Sequence, residues 1–92
     1  MAVMKFDPGQ IVATRGATEA FVASGDSPDT FLLRHVAGDW GEIDPDDVVE
    51  NELGLQHGFC LLSSYRLSSG VTVLCITEPD RTLTTFLLPE EH

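Results

Sequence analysis

One lysine and four arginines stand against fifteen aspartates and glutamates in this 92-residue chain, a formal net charge of -10. So few cations exclude a basic groove for DNA, RNA or anionic lipid, because neutralising phosphates with Lys and Arg supplies most of that binding energy. No apolar run approaches the roughly eighteen residues that a membrane-spanning helix needs. The first residues, MAVMKFDPGQ, also lack the charged and apolar regions of a secretory leader. The expectation is a soluble cytoplasmic protein with no membrane and no direct nucleic acid partner. Cysteine is scarce as well. Cys60 and Cys75 fall in segments that read as neighbouring strands, which favours buried thiols over a disulfide.

Other absences remove reaction classes. No short paired spacing joins His35, His57, His92, Cys60 and Cys75, so a zinc site is not expected. Asp44, Asp46 and Asp47 lack the glycine turn and distant glutamate of a calcium loop. GxSxG, HExxH, phosphate-binding and dinucleotide-binding signatures are missing too. The expectation is no metal and no cofactor. With 42% apolar residues the chain belongs to the globular class despite its charge, and its length suits one domain over residues 1-92.

Asp7-Pro8-Gly9 is a turn signal, and Ile11 to Ala13 reads as an edge strand or the start of the first helix. Ala17 to Ser24 fits a two-turn helix stopped by Gly25. Ser27-Pro28-Asp29 opens a second helix, with Phe31, Leu32 and His35 on one side and Gly38 at its end. Asp44-Pro45 repeats the start signal for a helix to His57. Its predicted apolar stripe is Val48, Val49, Leu53 and Leu55 or Gln56, and Gly58 stops it. The period then becomes two. Phe59 to Leu67, Val71 to Thr77 and Thr82 to Leu88 predict an antiparallel meander. Leu62, Ser64, Leu74, Ile76, Leu83, Thr85 and Leu87 are expected to face the helices, opposite Tyr65, Val73, Cys75, Thr84 and Phe86. The fold class is α+β, with two to three short N-terminal helices packed on one face of a C-terminal three- to four-stranded antiparallel meander.

The densest feature lies between Arg34 and Arg66, where no Lys or Arg occurs but seven carboxylates crowd between Asp39 and Glu52. Gly38 and Gly41 flank Asp39 and Trp40, the single tryptophan, which a tight loop would direct into the core or offer as an anchor. Three readings compete: a solvated helix face, a cation site, and a docking surface for a basic protein that imitates phosphate spacing. The docking set is Asp39, Trp40, Glu42, Asp44, Asp46, Asp47 and Glu50. An enzymatic alternative is a small metal-independent ribonuclease or toxin-like domain, using His35, Tyr65, Arg66, Arg81 and Thr84 on the sheet. Its weakness is the charge of the chain, since enzymes for polyanions carry basic surfaces.

Arg34-His35, Gly38-Asp39-Trp40-Gly41, Asn51, Ser64-Tyr65-Arg66 and the run from Ile76 to His92 resemble a group of small accessory proteins carried by bacterial plasmids, prophages and integrative elements. The resemblance implies a mobile-element role in a bacterial cytoplasm, with no activity attached. Together with the acidic stretch it gives the leading expectation: a non-enzymatic interaction protein, an inhibitor of a host defence complex of the anti-CRISPR or anti-restriction kind. The expected partner is a basic surface of a nucleic-acid-binding effector complex, and the chain itself is expected to be a monomer or homodimer.

Overall fold

The computed structural model describes residues 4-92. Strand β1 (Gln10–Ala13) leads into helices α1 (Arg15–Ser24), α2 (Pro28–Val36) and α3 (Pro45–His57). Strands β2 (Leu61–Arg66), β3 (Thr72–Thr77) and β4 (Leu83–Leu87) follow, then a 3-10 turn at Pro89–Glu91.

Local chemistry explains the helix ends. Thr14 Oγ1 accepts the Ala17 N–H, starting α1 earlier than the apolar spacing alone suggests, and Gly25 closes it at a φ of 77°. Ser27 accepts from the Asp29 N–H at the head of α2. Asp44 has the extended backbone of a cap, but its side chain makes no capping hydrogen bond, so its carboxylate remains free.

The sheet order is β1-β4-β3-β2, and β1 runs parallel to β4. The sheet is therefore mixed, which corrects the wholly antiparallel expectation. No hairpin ties β1 to a neighbour, so nothing local imposes an antiparallel direction on it. The three C-terminal strands do form the predicted antiparallel meander.

Which sheet face is covered is the reverse of the expected one. Leu61, Ser63, Tyr65, Val73, Cys75, Thr77, Thr84 and Phe86 are buried, whereas Leu62, Ser64, Leu74, Ile76, Leu83 and Thr85 are only partly so; of the set expected to be covered, Leu87 alone is buried. Both parities carry apolar residues, so alternation alone was ambiguous; the helices decide it. Phe21 of α1 meets Phe86 edge-on at 5.4 Å, and Phe31 of α2 meets Tyr65 at 5.3 Å. Cys75 is buried as expected, but Cys60 precedes β2 and is exposed.

Helix α3 departs most from expectation. Its buried residues are Asn51 and Gly54, while Val48, Val49 and Leu53 are exposed, so the predicted stripe does not face the core. Instead α3 closes the edge of β2. Asn51 Nδ2 donates to the Leu62 carbonyl at 2.7 Å, and Asn51 Oδ1 accepts the Leu62 N–H at 3.0 Å. One amide side chain thus replaces a neighbouring strand at that residue. Asn51→Ala removes both partners at a buried position and is expected to cost on the order of 2 to 4 kcal/mol. Urea unfolding measures the loss; an unchanged midpoint would show that water replaces the amide without penalty.

Candidate functional site

The loop after α2 forms a second clamp on the same edge. The Ser64 N–H donates to the Trp40 carbonyl at 3.0 Å and the Glu42 N–H donates to the Ser64 carbonyl at 2.7 Å, giving a short parallel bridge between Gly41 and Ser64. Tyr65 Oη donates to the Asp39 carbonyl at 2.6 Å. Trp40 is 5% exposed, stacked on Phe6 and edge-on to His35. Its indole N–H donates to Glu52 at 3.2 Å. Trp40 is thus a core residue and offers no exposed anchor.

The carboxylates of this region divide into two groups. Asp39 receives a two-pronged contact from Arg34, with Nε at 2.8 Å and Nη2 at 3.3 Å, and that guanidinium holds its pKa below the usual carboxylate value. Glu42 lies 3.4 Å from Arg66. Arg34, Asp39, Glu42, Ser64, Tyr65 and Arg66 line a shallow depression of about 260 Å³. Two cations and two anions nearly cancel there, so it has little net attraction for a phosphate. Asp44, Asp46, Asp47 and Glu50, by contrast, occupy the cap and first two turns of α3 with no cation within 4.0 Å among the described residues.

Across the described residues, three of the fifteen acids form an ion pair with an arginine, which leaves twelve without one. The fourth arginine is used otherwise. Arg81 has a φ of 61°, a left-handed conformation uncommon outside glycine. Its guanidinium donates to the carbonyls of Phe59 at 2.7 Å and Gly54 at 2.8 Å, tying the β3–β4 turn to the C-terminal end of α3.

His35 is the most constrained polar side chain. It is fully buried, with Nδ1 2.5 Å from Ser63 Oγ and Nε2 2.9 Å from Thr77 Oγ1. Thr77 Oγ1 lies 2.6 Å from Thr84 Oγ1, which donates to the Pro8 carbonyl at 2.7 Å. The carbonyl can only accept, and this sets the direction of the chain as far as His35 Nε2–H. Thr84 donates to Pro8, Thr77 donates to Thr84, His35 Nε2–H donates to Thr77, and Ser63 donates to the bare Nδ1. The bare Nδ1 follows from burial, which, aided by the nearby positive charge of Arg81, lowers the pKa of His35 from 6.5 to about 4 and leaves the ring neutral at neutral pH.

The enzymatic set does not converge. His35 and Thr84 share the buried chain, and Tyr65 is buried with its hydroxyl committed to Asp39 and its pKa raised by burial. Arg66 alternates to the opposite face of β2, and Arg81 belongs to the α3 clasp. Ser63 and His35 form a hydroxyl–imidazole pair, yet both are 0% exposed, so no substrate reaches them. Every buried side-chain polar atom among the described residues has a hydrogen-bond partner. Nor do three potential metal ligands cluster among those residues. No helix among them is long and apolar enough to cross a membrane.

Sequence reading did not single out Asn51 as an edge clamp, Glu52 as the partner of Trp40, or Ser63 and Thr77 as partners of His35. A signal was available for the last two, since they have the same parity as Tyr65 and Cys75 on their strands. No family model, curated protein or solved structure matches this chain.

Proposed function

We propose that the chain is a non-enzymatic interaction protein that docks a basic protein surface through Asp44, Asp46, Asp47 and Glu50 at the head of α3. The observation that carries this reading is the uncompensated charge of that segment, beside a loop whose acids are neutralised. The N-terminal helix dipole offsets only about half an elementary charge. Asp46 and Glu50 stand four residues apart on one helix, a like-charge arrangement that destabilises it by a few tenths of a kcal/mol. The fold gains nothing from that repulsion, whereas a cationic partner would relieve it.

A surface of this sign suits a protein whose own ligand is a polyanion, where helix carboxylates compete for the phosphate positions. The resemblance to mobile-element accessory proteins supports a nucleic-acid-binding host defence complex as that partner. Asp39, Trp40 and Glu42 leave the docking set, because each already has its partner within the fold.

Affinity capture on the tagged protein from a bacterial host carrying such a complex tests the proposal. The parent chain is expected to retain a basic nucleic-acid-binding protein and to release it as salt rises. Asp46→Lys, Asp47→Lys and Glu50→Lys together are expected to weaken that association at least about tenfold with the fold intact. A neutral Asn, Asn, Gln variant, which puts no cation at a helix N-terminus, is expected to fall in between. Undiminished capture by both variants would remove the docking role of α3.

A further inference from the structure

None of the fifteen carboxylates lies on a strand. In a chain of net charge -10 this leaves the sheet face turned away from the buried core with no acid of its own, while Glu42 reaches Arg66 at one rim and Glu78 and Asp80 lie beside Leu83 at another. Register aligns Val12, Thr85, Ile76 and Leu62 in one row across all four strands, with Leu87, Leu74 and Ser64 in the next. Leu83 extends the apolar area, and Arg66 stands at its rim. The helices are engaged elsewhere: α1 and α2 pack on the opposite face through Phe21 and Phe31, and α3 is held to the edge of β2 by Asn51.

We infer that this face is the contact through which two copies of the chain form a face-to-face dimer. The occupant follows from charge. Six of the carboxylates lie on α1, α2 and α3 and none on the strands, so a second copy of this acidic chain meets less repulsion over this face than over the helices. The surface is also apolar at its centre and polar at its rim, where Ser64 and Arg66 lie. The 21 strand residues, at about 3.3 Å each along strands about 4.8 Å apart, give a footprint of about 330 Å². That planar figure, before side-chain relief is added, is about half of the roughly 600 Å² per partner at the small end of specific interfaces, so the contact is a weak one.

The two sheets stack in the aligned manner of a β-sandwich, burying the part-exposed Val12, Leu62, Leu74, Ile76 and Leu83 of each copy. The contact uses none of the α3 carboxylates, so it stands or falls apart from the docking proposal. The two also respond oppositely to salt. Docking on a basic partner weakens as salt rises, whereas this dimer tightens, because screening reduces the repulsion between two bodies of charge -10.

Sedimentation velocity of the whole chain over a concentration series, at low and high salt, tests the inference. The expected result is a monomer–dimer equilibrium with a Kd on the order of 1 to 100 µM that tightens several-fold with salt. Ile76→Lys is expected to weaken it more than about tenfold. Val49→Lys, at an exposed apolar residue of α3, is expected to leave it unchanged. Circular dichroism melting confirms that each variant is folded; should Ile76→Lys fail to fold, Thr85→Lys on the same row replaces it. A parent chain that stays monomeric throughout would overturn the inference, as would a dimer indifferent to the substitutions on this face or one that salt dissociates.

Discussion

Replacing His35 with glutamine is expected to flatten the acid side of the stability profile while lowering stability at neutral pH. In the native state the imidazole is neutral, with its pKa depressed from 6.5 to about 4. The unfolded chain therefore takes up a proton at pH values where the folded chain does not, and protons favour unfolding. The sign follows: stability is unaffected above about pH 7, falls progressively between 6.5 and 4, and changes no further from this group below that. A shift of about 2.5 units corresponds to about 3 kcal/mol. That is a large share of the roughly 5 to 14 kcal/mol expected for a domain this size.

The carboxylates whose pKa values are lowered, Asp26, Asp39, Asp80 and Glu91, act in a lower window. Their stabilisation disappears only as pH falls below the ordinary carboxylate range, so the histidine slope can be measured separately. Glutamine can keep the donor to Thr77 but not the acceptor for Ser63. His35→Gln should then lose about 2 to 4 kcal/mol at pH 7.5, from one orphaned hydroxyl and imperfect filling. Urea unfolding of both proteins between pH 7.5 and 4.5 reads both effects. Parallel pH profiles would mean that His35 is not the group that titrates.

Gly41→Ala is expected to have the largest effect of any single methyl addition in this chain. Gly41 has a φ of 74°, and an added Cβ would lie 2.1 Å from the Ser64 carbonyl oxygen and 2.7 Å from the Tyr65 ring. The loop would have to lift away from β2. That breaks the Ser64–Trp40 and Glu42–Ser64 backbone bonds and the Tyr65–Asp39 bond. Three hydrogen bonds at about 1 kcal/mol each and about 1 kcal/mol of backbone strain sum to about 4 kcal/mol or more. The midpoint of thermal unfolding should fall by roughly 16 to 30 °C. Gly25→Ala is the matched control, with a φ of 77° and no atom within 4 Å of the added carbon. It should lose only about 1 kcal/mol. Equal losses in the two variants would contradict the close approach of the loop to β2.

These two residues show what could be read from the chain in advance. Flanking glycines marked the Trp40 loop as tight, and the three helices and the C-terminal meander were legible because cap residues and changes of period are local signals. The covered face of the sheet was not legible. Leu62, Leu74 and Ile76 are as apolar as Val73, Cys75 and Phe86, and what settles the matter is a distant pairing, the aromatic residues of α1 and α2 and the need of His35 for Ser63 and Thr77. Asn51 was hidden for a similar reason. On a helix it looks like a solvated polar residue, and only its position beside an unpaired strand edge makes it a clamp. The acidic stretch was visible as composition, but its division into paired Asp39 and Glu42 and unpaired Asp44, Asp46, Asp47 and Glu50 depends on where Arg34 and Arg66 fall in space.

In the proposed role, the head of α3 is a cation-seeking surface distinct from the other carboxylates of the chain. Amide chemical-shift mapping with a short oligoarginine peptide as the probe tests it most directly. Saturable shifts confined to residues 44-51 and their neighbours, suppressed in the triple lysine variant, are the result this account predicts. Shifts spread over Asp7, Asp29, Asp80 and Glu90 as strongly as over α3 would contradict it, and would make the acidic helix an ordinary solvated face.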